Sequence, residues 1–353
     1  MAIRQLTYLA CLTAASVAGF GMAPTAQAGD RHIVHRGESI QKAVDAAKPG
    51  DTVFVEPGIY QESVLVKESR VTLLGAGRQT VIRPPTARAA NACGQDGNGI
   101  CVTGSPGHRL RDVTIRSLTV AGFKKNGIWA SGTNRLRVRD VAAQGNGQWG
   151  IAVEKSVRSS VRDNTARDNG DAGVFLANTV AEEGGATDTH GAAISDNHIT
   201  GNRIGVTVRR VRNLRVDNNH ITGNCAGLFV VGDESRPRAG DLTVSRNEVS
   251  GNNKYCPATK RLPFLQGIGI VLTGAEDTRV RGNWVDNNVG KSPLSGGIVL
   301  FPSFAKAPDE RNVISANVAL RNRPADLANR DKAGSGNRFV RNVCRTSEPA
   351  GLC

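Results

Sequence analysis

Methionine and aromatic residues are scarce in this chain, which has 2 Met and 3 Trp among its 353 residues and an aromatic content of 4%. Helical enzyme cores are usually filled by such large side chains, so their scarcity beside 41 Gly disfavours a helical core and favours many short strands. The six His are scattered, and with so little Met this excludes a metal centre rich in either residue. The hydrophobic fraction of 39% is still enough for a sizeable core.

Long apolar runs are almost absent, and the one that occurs lies at the N-terminus. Leu6 to Phe20 is apolar and Ala-rich, it follows Arg4, and Ala26-Gln27-Ala28 has the small-x-small pattern of a cleavage site. The run is too short to span a bilayer comfortably, and no other window approaches ~20 apolar residues. We therefore predict a signal peptide over residues 1–28, a secreted mature protein and no membrane span; the alternative is a buried N-terminal helix.

The CxxC motif is missing, which excludes the common cysteine-based metal and redox sites. Removal of the signal peptide would take Cys11 with it and leave six cysteines. An even number in an exported chain predicts disulfides, although six cysteines allow 15 pairings in principle. Proximity in sequence favours three pairs, Cys93–Cys101, Cys225–Cys256 and Cys344–Cys353.

Acidic residues are outnumbered, because 31 Asp and Glu oppose 45 Lys and Arg for a formal net charge of +14. Such an excess indicates an acidic partner: an anionic polysaccharide, a cell-wall polymer or a nucleic acid. The export signal and the lack of any nucleic-acid-binding motif argue against nucleic acid. We expect a polysaccharide partner, anionic rather than neutral, and a monomeric protein.

What the chain does contain is one unit repeated many times. Each unit opens with Gly and a hydrophobic residue, and the shortest units are roughly 20–25 residues long. These pairs begin at Gly127, Gly150, Gly173, Gly205, Gly227, Gly269 and Gly297. A first column of Asn recurs at Asn164, Asn197, Asn219, Asn247, Asn283 and Asn317. A second column follows at Asn169, Asn202, Asn224, Asn252, Asn288 and Asn322, and Asn146 fits it as well.

The internal pattern of the unit predicts its structure. Period-2 alternation within short segments separated by polar turns indicates three strands per unit. A unit of this size cannot bury its apolar face alone and must stack on its copies. Asn suits the turns because it tolerates a left-handed backbone, and stacked Asn side chains can hydrogen-bond to neighbouring coils. We predict an all-β fold, a right-handed parallel β-helix; leucine-rich repeats have a helical half that is missing here, and a propeller blade needs about 40 residues.

The segment before the first Asn differs from the repeat. Gly37 to Lys48 is amphipathic and predicts a helix that covers one open end of the coil, since solenoid ends need a cap. Strands are expected at Thr52–Val55, Ser63–Val66 and Val71–Leu74. We predict a single domain over residues 29–353, with the N-terminal cap and first coils over 29–90, Asn-ladder coils over 91–337 and a C-terminal cap over 338–353.

This opening segment also carries a resemblance to a known group. The run GESIQKAVDAAKPGDTVFVEPGIYQESV, followed by VTLLGAG, resembles the start of the pectin-lyase-like right-handed β-helix superfamily. Similar openings occur in pectin methylesterases, polysaccharide lyases and copper-accessory β-helix proteins of nitrous oxide reductase. The resemblance covers nearly all of the mature chain and implies the β-helix fold. The Asp-Pro-His-Asp, Gly-His-Gly, paired Asp-Asp and GTVDFIFG-type motifs of its enzymes are missing, so it assigns no catalytic residue.

An aromatic column is a candidate substrate-binding surface. If Ile128 points inward, Trp129 points outward, and Phe175 and Phe229 occupy the same column two and four coils further on. With coils ~4.8 Å apart, these rings would recur every ~10 Å and could stack on the sugars of a polymer laid along the axis. The alternative is that a loop covers the column.

Charged residues in and beside two insertions are candidates for catalysis. A cation that neutralises a substrate carboxylate acidifies the adjacent C–H, and a base then removes the proton, which is lyase chemistry on a uronate. The carboxylates would also suit Ca²⁺, the one cofactor considered, or could hydrolyse a glycosidic bond as a pair. The alternative is a solvated surface cluster without a catalytic role. The candidates are Glu182, Glu183, Asp188, His190, Arg209 and Asp233.

Arginines form a second candidate binding surface. Arg137, Arg215 and Arg279 fall at outward positions of the second strand of their units, where guanidinium groups could hold a polyanion. The alternative is that a basic composition scatters positive charge over the whole surface. The sequence thus predicts a secreted β-helix protein that binds or acts on polysaccharide, first as a lyase-like enzyme on an acidic uronate polymer, and alternatively as a non-catalytic carbohydrate- or wall-binding protein.

Overall fold

The computed structural model describes residues 29–105, 107–179 and 184–353. In these residues the chain winds into a right-handed parallel β-helix, in which 33 short strands and two short helices follow one another along a coil. Every pairing between the long strand ladders is parallel. The predicted signal peptide, residues 1–28, lies outside the described residues. The helices within the described ranges are too short or too polar to cross a membrane.

The first face of the coil is a sheet of eleven strands. Seven of its strands coincide with the seven Gly-hydrophobic pairs of the repeat, as the sequence predicts. They are β4 (Val64–Val66), β7 (Ile100–Thr103), β10 (Ile128–Ser131), β13 (Ile151–Glu154), β16 (Ala172–Ala177), β19 (Ile204–Arg209), β22 (Ala226–Val231), β25 (Ile268–Thr273), β28 (Gly296–Leu300), β31 (Leu327–Asn329) and β33 (Ser347–Glu348).

The second and third faces belong to one sheet of 20 strands, because two strands bend through both. The second face consists of β1 (Arg31–Val34), β2 (Thr52–Val55), β5 (Thr72–Gly75), β9 (Thr114–Ala121), β12 (Arg137–Gln144), β14 (Ser160–Arg162), β17 (Thr187–Ser195), β20 (Val211–Asp217), β23 (Gly240–Ser245), β26 (Arg279–Arg281), β29 (Val313–Ser315) and β32 (Arg338–Val340). The third face adds β3 (Gly58–Gln61), β6 (Thr80–Arg83), β15 (Thr165–Arg167), β18 (His198–Thr200), β21 (His220–Thr222), β24 (Glu248–Ser250), β27 (Trp284–Asp286) and β30 (Val318–Leu320) to the ends of β9 and β12. A small pair is formed by β8 (Leu110–Arg111) and β11 (Thr133–Asn134).

Close approach of the coils explains the glycine that opens each unit. A Cβ atom added at Gly150 would lie 2.6 Å from the carbonyl oxygen of Gly173, and one added at Gly205 would lie 2.6 Å from that of Gly227. No side chain can occupy that space without moving the next coil. The glycine column is therefore required by the stacking of the backbone at the start of the first face.

Inward-pointing side chains form one continuous core that runs from Val34 to Leu327. Helix α1 (Ile40–Ala46) buries Ile40 and Val44 against this core, and it is shorter than the predicted helix. Ser39 accepts a hydrogen bond from the Lys42 amide at its N-terminus. The role of α1 as an end cap stays a prediction, as do the domain bounds. The second helix, α2 (Ala92–Gln95), was not predicted.

Two ladders of buried asparagines connect the coils, and Asn219 shows the pattern. Its Nδ2 donates to Asn247 Oδ1 at 2.9 Å and to the Ile194 carbonyl at 2.9 Å. Its Oδ1 accepts from Asn197 Nδ2 at 2.8 Å. The ladder at the corner between the second and third faces comprises Asn164, Asn197, Asn219, Asn247, Asn283, Asn317 and Asn342. The ladder at the corner between the third and first faces comprises Asn146, Asn169, Asn202, Asn224, Asn252, Asn288 and Asn322.

The predicted reason for these asparagines is corrected in one respect. The left-handed residue is the one before the ladder Asn: Asp163 has φ 57° and Asn218 has φ 55°, whereas Asn164 and Asn219 are not among the positive-φ residues of the described chain. Asn is needed because one side chain both accepts from the preceding coil and donates to the following one, which satisfies buried backbone groups.

The three predicted disulfides are confirmed, as Cys93–Cys101, Cys225–Cys256 and Cys344–Cys353. The coil also continues into the predicted C-terminal cap, because β32 pairs with β29 and Asn342 extends the ladder.

Candidate functional site

The outer surface of the first face carries the aromatic column that the sequence predicts. Strand register places Trp129 beside Ala152, Ala152 beside Phe175, Phe175 beside Thr207 and Thr207 beside Phe229. The predicted spacing of two coils between successive rings is therefore correct. Coil stacking alone does not decide whether the rings are accessible.

Phe175 and Phe229 are buried and Trp129 is half-buried, so the three rings do not form one exposed track, and a substrate-binding role for Trp129 stays a prediction. Phe229 is 1% exposed and packs with Leu265, from the segment between β24 and β25, and with Leu294, from the segment between β27 and β28. Phe175 is 5% exposed because the ring of Trp149 lies on it. The loops cover the C-terminal half of the column, which was the alternative considered from the sequence.

Trp149 is a site residue that the sequence analysis missed. It lies next to Ala172, one column before Phe175, and the two ring centroids are 4.0 Å apart with planes inclined by 1°. One face of each ring is therefore buried in this stack. The Trp149 indole Nε1 donates to Asp171 Oδ2 at 3.2 Å. The signal in the sequence was a large aromatic residue at an outward position, immediately before the Gly-hydrophobic pair.

A pocket of about 270 Å³ opens beside this stack. Its floor is formed by the outward side chains of β16, β19 and β22, and its walls come from the segments around Leu262 and Phe304. The lining residues are Gln148, Trp149, Asp171, Phe175, Ile204, Thr207, Arg209, Phe229, Val231, Arg261, Leu262 and Phe304. Apolar rings with a few charged groups are the usual composition of a small-ligand site.

The charged groups of the pocket are perturbed by burial. Burial raises the pKa of the Asp171 carboxyl, against the opposing effects of the Trp149 hydrogen bond and of Arg203 and Arg261. Burial also lowers the pKa of the Arg209 guanidinium, as do the neighbouring charges of Arg210 and Arg261. Since arginine stays protonated in proteins, the pocket holds two cations and one carboxyl whose pKa is raised by burial. Its interior is positive.

A second carboxyl lies near the pocket on the neighbouring outward column. Register places Glu154 beside Ala177 and Ala177 beside Arg209, so a small residue separates the acid from the cation. Glu154 is buried, and burial raises the pKa of its carboxyl while Lys155 and Arg209 lower it. At the adjacent corner, the Arg210 guanidinium forms an ion pair with Asp233.

The structure brings together two of the predicted catalytic residues and separates two others. Arg209 lines the pocket, and Asp233 lies close enough to contribute to its electrostatics. Asp188 and His190 belong instead to β17 on the second face, exposed and 3.5 Å apart between carboxylate and ring nitrogen. They were wrongly placed on a loop beside the first face, because β17 starts earlier than the pattern suggests. Glu182 and Glu183 lie outside the described residues.

The predicted arginine surface lies on the second face, away from the pocket. Register places Arg215 two coils from Arg279 and three coils from Arg137, in one outward column. All three side chains are exposed. Arg137 lies 3.7 Å from an Asp112 carboxylate oxygen, whereas Arg215 and Arg279 form no ion pair among the described residues.

In residues 29–105, 107–179 and 184–353, the His, Cys, Asp and Glu side chains form no group of three that could hold a metal ion. The Ca²⁺ expectation stays a prediction.

Comparison with known structures gives several matches along most of the chain. The A-module of mannuronan C-5 epimerase AlgE6 of Azotobacter vinelandii is 18% identical, with 88% of this chain and 90% of that chain covered and a TM-score of 0.56. A mutant DFA-IIIase of Arthrobacter chlorophenolicus A6 is 13% identical, with 90% and 84% covered and a TM-score of 0.61. The periplasmic alginate epimerase AlgG is 12% identical, with 90% and 77% covered and a TM-score of 0.50. At such identities these likenesses show the fold alone.

A sequence comparison with curated proteins finds no match. The model of a family described as the right handed beta helix region, in contrast, matches residues 85–239 and 185–312. These overlapping matches cover more than half of the chain and coincide with the coils that carry both asparagine ladders and the pocket. The protein therefore belongs to the right-handed β-helix family.

Proposed function

We propose that this protein is an exported carbohydrate-active β-helix that binds an acidic saccharide in the Trp149–Phe229 pocket and acts on it as a uronate lyase. The observation that carries the proposal is the pairing of two arginines with one burial-perturbed carboxyl in an aromatic-lined pocket. Three disulfides support an oxidising compartment. Two of the structurally similar proteins are named as epimerases of mannuronan or alginate, which are acidic polymers.

The sign of the pocket favours an anionic ligand. Arg209 and Arg261 are positive, and Asp171 is the one carboxyl among the lining residues, so the lining stays positive even when Asp171 is ionised. A guanidinium binds a carboxylate through two parallel hydrogen bonds, which fixes orientation as well as charge. A uronate carboxylate between the two arginines would complete the charge balance of the pocket.

The reaction that follows from this arrangement is a β-elimination. With its carboxylate neutralised by Arg209 and Arg261, the uronate ring has an acidified C–H next to that carboxylate. Glu154, when ionised, takes this proton, and the electron pair forms a C=C bond as the adjacent glycosidic C–O bond breaks. Asp171, when protonated, donates its proton to the departing oxygen. Each of the two perturbed carboxyls then has one role, and the proton count balances.

The test is a panel of uronic-acid polymers and oligosaccharides, assayed with and without Ca²⁺ by calorimetry for binding and by the ultraviolet absorbance of the unsaturated product for elimination. We expect Arg209→Gln and Arg261→Gln to weaken binding at least ~10-fold, as loss of a charge-assisted hydrogen bond implies. We expect Glu154→Gln to bind normally and to turn over at least ~100-fold more slowly. Arg281→Gln, an exposed arginine of the second face, is the matched control.

The outcomes separate the two hypotheses for function. Binding without any absorbance change in wild type would assign the protein to the non-catalytic class and remove the lyase step. Failure of every acidic saccharide to bind, or equal binding by Arg209→Gln and wild type, would overturn the proposal itself.

A further inference from the structure

The outer surface of the first face is closed on both sides of the pocket. Towards the C-terminus, the outward residues Val271 and Val299 continue the column of Phe229 and are buried under the same loop cluster. Towards the N-terminus, Leu65 and Cys101 continue the column of Trp129 and are buried with Cys93 of α2. Trp129 is half-buried and every other residue of the column from Leu65 to Val299 is buried, so no continuous exposed track runs along the axis.

The gap between the two covered regions is short. Thr207 lies between Phe175 and Phe229 in the column, and a small residue there leaves room where the neighbouring coils carry rings. Two coil steps of ~4.8 Å separate these rings, a distance of ~10 Å. A pocket of about 270 Å³ of this length accommodates a few sugar rings at most.

The remaining two sides are also bounded. Arg261 and Leu262 form the wall where the strands of the first face begin, and Phe304 forms the wall where they end. The first wall is held in place, because Cys256 is linked to Cys225 and Arg203 Nη1 donates to the Pro257 carbonyl at 2.7 Å. Lys254 Nζ donates to the Gly201 carbonyl at 2.7 Å, which fixes the start of the same segment.

From these boundaries we infer that the pocket takes the end of an acidic polysaccharide chain, or a short acidic oligosaccharide, and not the interior of a long chain. This inference rests on the proposed function and adds the mode of attack. A chain end enters through the open mouth with the rest of the chain in solvent, whereas an internal segment would have to displace Phe304 or the disulfide-linked wall.

The stoichiometry of binding tests this mode on the wild-type protein. Calorimetry is done with uronate chains of one composition and increasing length, from dimer to long polymer. We expect one protein per chain at every length, with an affinity that stops rising after a few sugar units. A number of bound proteins that grows in proportion to chain length would overturn the inference and leave the proposed function standing. Absence of binding at all lengths would overturn both.

A variant locates the effect in the pocket. Thr207→Phe fills the gap between Phe175 and Phe229, and we expect it to reduce affinity for the short oligosaccharides at least ~10-fold. Thr222→Phe, a half-buried position on β21 of the third face, is the matched control for the added ring. Undiminished oligosaccharide binding by Thr207→Phe would place the ligand elsewhere and sink the inference.

Discussion

The asparagine corners and the outer surface of the first face use the same repeat in opposite ways. At the corners, position after position is Asn, and each side chain makes the same donor and acceptor contacts as the one before it. On the outer surface, the corresponding column changes at every coil, from Trp129 through Ala152 and Phe175 to Thr207. Where the same residue recurs in successive coils, the side chains form a continuous ladder. Where the residue changes from coil to coil, the surface leaves room for a pocket.

The corner between the first and second faces shows what happens when the ladder residue is ionisable. Asp309 Oδ1 accepts from the Ala275 amide at 2.9 Å, and the Asp309 amide donates to Asp331 Oδ2 at 2.7 Å, which is the backbone pattern of the Asn ladders. Burial, with the Asp331 charge adding to it, raises the pKa of Asp309 to about 8. A neutral amide avoids this cost, which explains why the long ladders are built from Asn.

Replacing Asn219 by Ala should have a large effect on stability, since it interrupts the asparagine ladder between the second and third faces. It removes the donors to Asn247 and Ile194 and the acceptor for Asn197 from a buried position. We expect a loss of about 3 kcal/mol in the free energy of unfolding. Thermal and denaturant unfolding measure this, with Asn218→Gly, an exposed left-handed position, as control. An unchanged melting temperature would show that the ladders do not stabilise the stack.

Removing the Cys225–Cys256 disulfide by paired Cys→Ala substitutions tests the loops that cover the outer surface of the first face. The model of loop-closure entropy assigns about 4 kcal/mol to a link of this length. We expect that destabilisation together with weaker saccharide binding, because the wall that carries Arg261 is released. The paired Cys344→Ala and Cys353→Ala variant should lose stability and keep its binding. Equal binding losses in both variants would contradict a local role for the wall.

Asp309→Asn should make the corner between the first and second faces resemble the two asparagine corners. With a folded pKa of about 8 against an ordinary value of 3.8, Asp309 is ionised in the unfolded chain but protonated in the folded one between these pH values. Its contribution to stability is therefore complete below pH 3.8 and is lost as the pH rises to about 8. We expect Asp309→Asn to gain stability over wild type progressively as the pH rises through this window. Unfolding titrations that stay parallel across the window would disprove the assignment.

The arginine column of the second face should matter least to folding. Arg137, Arg215 and Arg279 are exposed, so changing all three to Gln should alter the free energy of unfolding by less than about 0.5 kcal/mol. If this column helps to hold a polyanion, the triple variant should elute from an anionic-polysaccharide column at lower salt with a flatter salt dependence. Elution at the wild-type position would remove the second face from ligand binding.

The repetitive part of the protein could be predicted closely from the sequence. Seven strands of the first face lie at the predicted Gly-hydrophobic pairs, and the Asn columns form ladders, because each coil contacts only its neighbours and the period sets the register. The cysteine pairs followed from proximity along the chain. The site was less accessible, since Trp149 belongs to no column of like residues and Asp188 and His190 turned out to lie in a strand.

The repeat and the cysteine spacing were enough to predict the β-helix, its register, its disulfides and the outward direction of Trp129, Phe175 and Phe229. Which of those outward side chains are covered, and that Asp171, Arg209 and Arg261 meet around one pocket, became apparent from the three-dimensional arrangement of the loops. The physical reason is the range of the interactions. Stacking is a nearest-neighbour property that the period encodes, whereas a loop settles where distant apolar side chains such as Leu265 and Leu294 can be buried, and no repeat records that position.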